Sequence, residues 1–177
     1  MARGVSTDAD PPPTDFVADR PRMFGGDLEP TRLPWRWAEQ RLVVARNYWI
    51  VTVRSDGRPH ARPVWGVWAD DAFWFSTGSL ADGNLRRRAD ITVHLESGGE
   101  SVILEGTAEE AVRRDVVARI ADLYNAKYDW HMDPDDLPGP FWQVRTTVAF
   151  GWASDDSGLD GGAAFHGTAT RWRPRSA

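Results

Sequence analysis

Residues 47–78, NYWIVTVRSDGRPHARPVWGVWADDAFWFSTG, hold three β-rich runs separated only by Asp56-Gly57 and Asp70-Asp71. Connections this short join antiparallel strands, and Asp-Gly readily takes the positive φ angles of a tight hairpin turn. Parallel pairing is excluded within this segment, because parallel neighbours need crossovers of a dozen residues or more. The middle run carries Pro59 and Pro63. Proline has no N–H to give a ladder, so this strand is expected to start late, bulge or lie at a sheet edge.

The rest of the chain extends the pattern. Residues 31–46 begin with Thr and Pro and repeat Trp35, Ala38, Leu42 and Ala45 at helical spacing. A short helix is expected near 80–88, followed by a hairpin from ITVHLES to ESVILEGTAEE across Gly98-Gly99. Residues 109–129 read as a helix with Val112, Val116, Ile120, Leu123 and Tyr124 on one face. HMDPDDLPGP reads as a loop, 141–152 as a long strand, 154–167 as a Gly- and Asp-rich loop, and 168–174 as a last strand. Residues 1–30, rich in Pro, Asp and Gly, read as a flexible arm ahead of a single domain over 31–177. Six or seven hairpin-linked strands with about three inserted helices make a closed antiparallel barrel the best physical reading.

Several function classes drop out. The chain has no Cys, which removes thiolate nucleophiles, Cys-ligated metals and disulfides together. Its net charge of −5 argues against a nucleic-acid binder. No apolar run approaches the roughly 18 residues of a membrane span, and the N-terminal stretch has no apolar leader core, so a cytoplasmic location is expected. No dinucleotide fingerprint, P-loop, nucleophile elbow or zinc-protease motif occurs. His60, His94, His131 and His166 share no metal-ligand spacing, and Asp135-Asp136 and Asp155-Asp156 are adjacent loop acids that cannot face each other across a substrate.

Two stretches retain chemistry. On an extended strand, His60, Arg62, Val64 and Gly66 point one way and Ala61, Pro63, Trp65 and Val67 the other. In FWFSTGSLADGNLRRRADI, Ser76 and Thr77 end the next run, just before the short helix. Together these could line a pocket for a flat, anionic ligand. The arginines 86–88 fan over about 200° of a helix, so at most one or two can face such a pocket.

The order of LPWRWAEQRL, GRPHARPVWGVW, FSTG, Asn84-Leu85, VILEGTAE and ATRWRP resembles the flavin and deazaflavin oxidoreductases of split β-barrel fold, the pyridoxamine 5′-phosphate oxidase superfamily, over residues 31–174. The resemblance implies a split antiparallel β-barrel, a homodimer, a small-molecule substrate, and either FMN or a deazaflavin coenzyme of the F-420 type. It implies that Arg62, Pro63, Val64 and Trp65 run beside the ring and phosphate, with Ser76, Thr77, Asn84, Leu85 and Arg86 near the phosphate. Trp152 and Arg171 would reach the cofactor from the other subunit, and His60 is the candidate proton donor. His166, in loop 154–167, would belong to a substrate-facing lid. Where relatives carry a basic Ser-Arg-Lys group, this sequence has Leu80-Ala81-Asp82. That departure opens a second reading, a barrel that binds without redox chemistry; haem binding through His60 or His166 is a third.

Overall fold

The computed structural model describes residues 15–22, 31–154, 157, 159–160 and 162–175. Among the described residues there are nine strands and four helices, more than the six or seven strands and three helices expected. The Asp56-Gly57 hairpin forms: β2 (Tyr48–Val53) pairs antiparallel with β3 (Pro59–Val64), with Val53 opposite Pro59 and Tyr48 opposite Val64. The proline-bearing run breaks at Trp65-Gly66 and resumes as β4 (Val67–Ala69). A two-residue turn through Asp70 and Asp71, with φ of 53° and 54°, leads into β5 (Ala72–Ser76). Positive φ at both central residues matches the twist of the flanking strands.

The main sheet runs β1 (Phe16–Asp19), β9 (Thr170–Pro174), β8 (Phe141–Ala153), β7 (Glu100–Glu110), β6 (Asp90–His94), β2 and β3. Its path ends at β1 and at β3, so the closed barrel expected from strand counting is corrected to an open, split one. The split runs through β8. Its first residues, Phe141 to Val144, pair with β5, and Ala149 to Gly151 pair with β9. One long strand thereby carries both the main sheet and the β4–β5 hairpin.

β5 explains why both halves stay together. Ala72, Phe73, Trp74 and Phe75 are all buried. Phe73 and Phe75 enter the core under the main sheet with Leu42, Ile50, Leu104 and Trp172. Ala72 and Trp74 enter a second core against Ile120, Ala121, Tyr124 and Tyr128. A short continuous apolar run is the signature of a strand covered on both faces. α1 (Trp35–Val44) buries Ala38 and Leu42 one turn apart. α3 (Arg114–Tyr128) begins later than the expected residue 109 because β7 continues to Glu110. Val112 therefore precedes the helix and is 84% exposed, while the packed face is Ile120, Ala121, Tyr124 and Tyr128, with Leu123 at its margin, 40% exposed.

Two local expectations need correction. Residues 16–19, placed in a flexible arm, form β1 and pair with β9, with Phe16 stacked on Trp35 at 3.9 Å. Residues 1–14 and 23–30 of that arm lie outside the described residues. The loop expected over 154–167 contains α4 (Ala163–Thr168), although 155, 156, 158 and 161 lie outside the described residues. α2 (Leu80–Leu85) is the expected short helix. Among the described residues no helix is long and apolar enough to cross a membrane.

Candidate functional site

The β2–β3 register decides which polar groups meet. Tyr48, Ile50 and Thr52 alternate into the interior, so their partners Val64, Arg62 and His60 lie on the same face. His60 Nδ1 and Arg62 Nε are buried there without a hydrogen-bond partner. Arg62 has no carboxylate partner among the described residues. Such atoms are uncommon in native interiors and call for an explanation.

Beside Arg62 opens a cavity of about 540 Å³. One wall is Arg62, Pro63, Val64 and Trp65; the other is the end of β5 and its continuation, Ser76, Thr77, Gly78 and Ser79. Asn47, not singled out from the sequence, and Tyr124, expected there only on a helix's packed face, complete it. A second cavity of about 380 Å³ lies against β2 and β6, lined by Val51, Val53 and Thr92 among others, and has no unpartnered buried side-chain atom among its lining residues.

The aromatic wall depends on the break between β3 and β4. There the Gly66 N–H donates to the Tyr128 hydroxyl at 2.8 Å, replacing a ladder bond. Lys127 Nζ donates to the Gly66 carbonyl at 3.0 Å and to the Tyr48 hydroxyl at 2.7 Å. The Tyr128 hydroxyl has one proton, within reach of the Arg46 carbonyl at 2.7 Å and the Gly66 carbonyl at 2.8 Å. These bonds bring Trp65 flat onto Tyr128, ring centroids 4.6 Å apart and 5° from parallel. Burial lowers the Lys127 ammonium from its ordinary range to about 8. Burial likewise pushes the Tyr48, Tyr124 and Tyr128 hydroxyls upward.

The hydroxyl wall has fewer free donors than its residue types suggest. Ser76 Oγ spends its proton on the Gly139 carbonyl at 2.9 Å, so it can only accept from a ligand. Thr77 and Ser79 hydroxyls lie 2.8 Å apart, and the Ser79 oxygen also caps α2 by accepting from the Ala81 N–H. One proton lies between the two, leaving one O–H for a ligand.

The sequence-predicted residues therefore divide. Arg62, Pro63, Val64, Trp65, Ser76 and Thr77 line one cavity. His60 lies on the same face as Arg62 but not on the cavity wall. Asn84 is fully buried, donating through Nδ2 to Thr52 Oγ1 at 3.0 Å, and Leu85 is core. In this chain both hold α2 onto β2 and do not line the cavity. Arg86 is paired with Asp82 at 3.1 Å and Glu110 at 2.7 Å. Trp152 meets Phe165 edge-on at 5.3 Å and donates to the Gly98 carbonyl. Arg171 clamps Asp19 of β1 through two bonds of 2.7 and 3.0 Å. His166, proposed for the lid, sits in α4 with Nδ1 buried and unpartnered.

The residues present suit a flavin-like group: one cation with an unpartnered buried nitrogen, one free hydroxyl proton and flat aromatic surface around a single cavity. Residues 44–173 match the family model described as pyridoxamine 5′-phosphate oxidase. No curated protein sequence matches the chain significantly. Among solved structures, general stress protein 26 from Bacillus anthracis superposes with a TM-score of 0.56 at 16% identity, over 66% of this chain and 91% of that one. A candidate 5-nitroimidazole antibiotic resistance protein from Bacteroides thetaiotaomicron gives 0.58 at 10% identity, over 89% of each chain. A Clostridium acetobutylicum protein related to general stress protein 26 gives 0.52 at 15% identity, over 67% of this chain and 84% of that one. At such identities these likenesses speak to the fold.

Proposed function

The chain belongs to the pyridoxamine 5′-phosphate oxidase family, and from that premise we propose that it is an oxidoreductase holding FMN or a deazaflavin coenzyme in the cavity beside Arg62. The observation that carries this reading is the buried, unpartnered Arg62 Nε at the wall of an aromatic-lined cavity. When bound, such a cofactor supplies hydride exchange with a small conjugated organic substrate, and the protein's part is to bind, orient and tune.

The chain's own residues then have distinct tasks. Arg62 pairs with the phosphate, and the remaining O–H of the Thr77–Ser79 pair donates to it. Trp65 and Tyr124 flank the ring and exclude water from one side. His60, on the Arg62 face with a free Nδ1, holds or delivers a proton. A homodimer and a cytoplasmic location belong to the same proposal. Leu80, next to cavity-lining Ser79 and 49% exposed, is apolar surface that a second copy would cover; light scattering reads the mass.

The test is a visible-absorption titration of the purified chain with each cofactor. Arg62→Met should weaken binding by about 10- to 100-fold, since a hydrogen bond to a charged group contributes roughly 1.5–3 kcal/mol. If neither cofactor binds at tens of micromolar, or Arg62→Met binds as well as the parent, the proposal is wrong. One observation favours the redox-inactive binding module: among the described residues, Arg62 is the single cation on the cavity wall. That reading predicts tight binding of a neutral flat ligand, such as riboflavin, with no turnover.

A further inference from the structure

The arginine triplet at the end of α2 falls into two parts. Arg86 is taken by Asp82 and Glu110. Arg87 and Arg88 instead line a cavity of about 260 Å³ with Val53, Arg54, Ser55 and Gly57 of the β2–β3 hairpin. Among the described residues, none that lines it is acidic. Asp56, the acid of that hairpin, is gripped by Arg58 at 3.0 and 2.6 Å and feels Arg54 only through space.

One of the three guanidiniums is already positioned. Arg87 Nη2 donates to Asn84 Oδ1 at 3.1 Å, and Asn84 Nδ2 donates to Thr52 Oγ1 at 3.0 Å, so the buried amide links Arg87 to β2 beside the hairpin. Arg87 Nη1 lies over Gly83, 3.9 Å from where a Cβ would stand. Three like charges around one small cavity repel within a screening length of about 8 Å. In a chain of net charge −5, acids surround other arginines but none lines this cavity. A multivalent anion would remove the repulsion and accept several charge-assisted hydrogen bonds at once.

We propose that Arg54, Arg87 and Arg88 form a second anion-binding site, for a polyphosphate group, separate from the cavity at Arg62. Five residue steps along β3 and its turn separate Arg62 from Gly57, roughly 16 Å at about 3.3 Å per residue. The polyphosphate could arrive as a free ligand or as the distal end of a longer ligand lying along β3.

The probe is inorganic tripolyphosphate, titrated calorimetrically into the full chain at low salt. Saturable binding is expected, weakened about 100-fold in Arg87→Gln/Arg88→Gln, at about tenfold for each lost charge-assisted contact. Arg114→Gln, which removes a surface arginine paired with Asp135, should change nothing. Absence of saturable binding overturns the proposal, as does binding that the double variant and Arg114→Gln affect alike. Loss of binding in Arg62→Met also overturns it, because the anion would then sit in the main cavity. Adding a cofactor to the parent chain separates the two sources: unchanged tripolyphosphate affinity indicates a free ligand, and competition, together with weaker cofactor binding in the double variant, indicates the end of a longer one. Flavin binding that fails while tripolyphosphate binding persists sinks the proposed function alone.

Discussion

Gly66→Ala tests the idea that the strand break builds the cavity wall. A Cβ at Gly66 would stand 2.3 Å from Phe73 Cε2, 2.4 Å from Phe73 Cζ and 2.7 Å from the Trp74 carbonyl. Neither neighbour can give easily. Phe73 is fully buried, with its ring 4.5 Å from Tyr48 and 5.6 Å from Phe75. Trp74 is opposite Val67 in the β4–β5 pair and opposite Gln143 in the β5–β8 pair, so its backbone is held on both sides. Overpacking a tight core costs about 1–3 kcal/mol. Moving Gly66 away instead strains its bonds to Tyr128 and Lys127, at about 1 kcal/mol each. Either route predicts a loss near 2 kcal/mol, equivalent to a fall in melting temperature of roughly 4–8 °C for a domain of this size. Urea unfolding followed by tryptophan fluorescence should show a midpoint lower by about 1 M if the slope is near 2 kcal/mol/M. Gly98→Ala is the control, because a Cβ there meets nothing within 4 Å. If Gly66→Ala unfolds with Gly98→Ala at the parental midpoint, the break is not held as described.

The remaining predictions concern charge. Burial lowers Lys127 to about 8 from an ordinary 10.5. Between those values the unfolded chain binds the extra proton, so this group makes stability rise with pH, with no slope below the window. Lys127→Met should flatten the melting temperature between about pH 8 and 9.5, before the buried tyrosines act in the opposite direction. Asp19 is held at about 2, from 3.8, chiefly by the Arg171 hydrogen bond against the opposing effect of burial. Its contribution is present above pH 3.8 and is lost as pH falls through about 2. Asp19→Asn should loosen β1 with a global effect of no more than about 1 kcal/mol, because the pair is only partly buried and solvent still screens it. Limited proteolysis near residue 20 reads that loosening, and an unchanged cleavage rate refutes it. Leu80→Arg combined with Asp82→Asn should tighten FMN binding about tenfold, one charge-assisted contact; unchanged affinity in an absorbance titration would separate this part of α2 from the phosphate.

What the sequence disclosed was mainly local. Asp56-Gly57 announces its hairpin because two residues settle the turn, and the alternation of the flanking strands then sets the face on which Arg62 lies. The prolines of β3 mark the edge and the break for the same local reason. β1 escaped because FVAD is four residues with no internal signal; it becomes a strand only when β9 offers an edge and Asp19 meets Arg171. α4 was hidden in a Gly- and Asp-rich stretch whose AAFHGT core is too short to show a period. In the site, the structure places Asn84 and Leu85 in the interior and off the cavity wall, a detail hidden from the sequence because a motif gives neighbours along the chain but not the side of a short helix on which each lies. The missed residues had one available signal: Lys127 is the chain's only lysine among 21 cationic residues. A flexible, compact ammonium can pass between two tyrosines to a carbonyl where a planar guanidinium is a poor replacement.

The substitution of Leu80-Ala81-Asp82 for a basic group now has a structural sense that residue types alone could not supply. From the sequence, adding Arg and Lys at 81 and 82 looks like the restoring change. Ala81 is fully buried on the inner face of α2, so a cation there would have to disrupt the core. Only Leu80 is exposed enough to accept one. Asp82 has a structural task, since its carboxylate joins Arg86 to the end of α2 while Glu110 holds the other side of the same guanidinium. That network withdraws Arg86 from any ligand and leaves Arg62 as the cation of the cavity wall. The positive charge of the segment is therefore displaced rather than lost: one turn later, Arg87 and Arg88 join Arg54 around a separate cavity. A single arginine at the main cavity suits a ligand of low charge density or one whose remaining charge is met elsewhere, which is why the affinity of FMN relative to riboflavin is the most informative comparison for this protein.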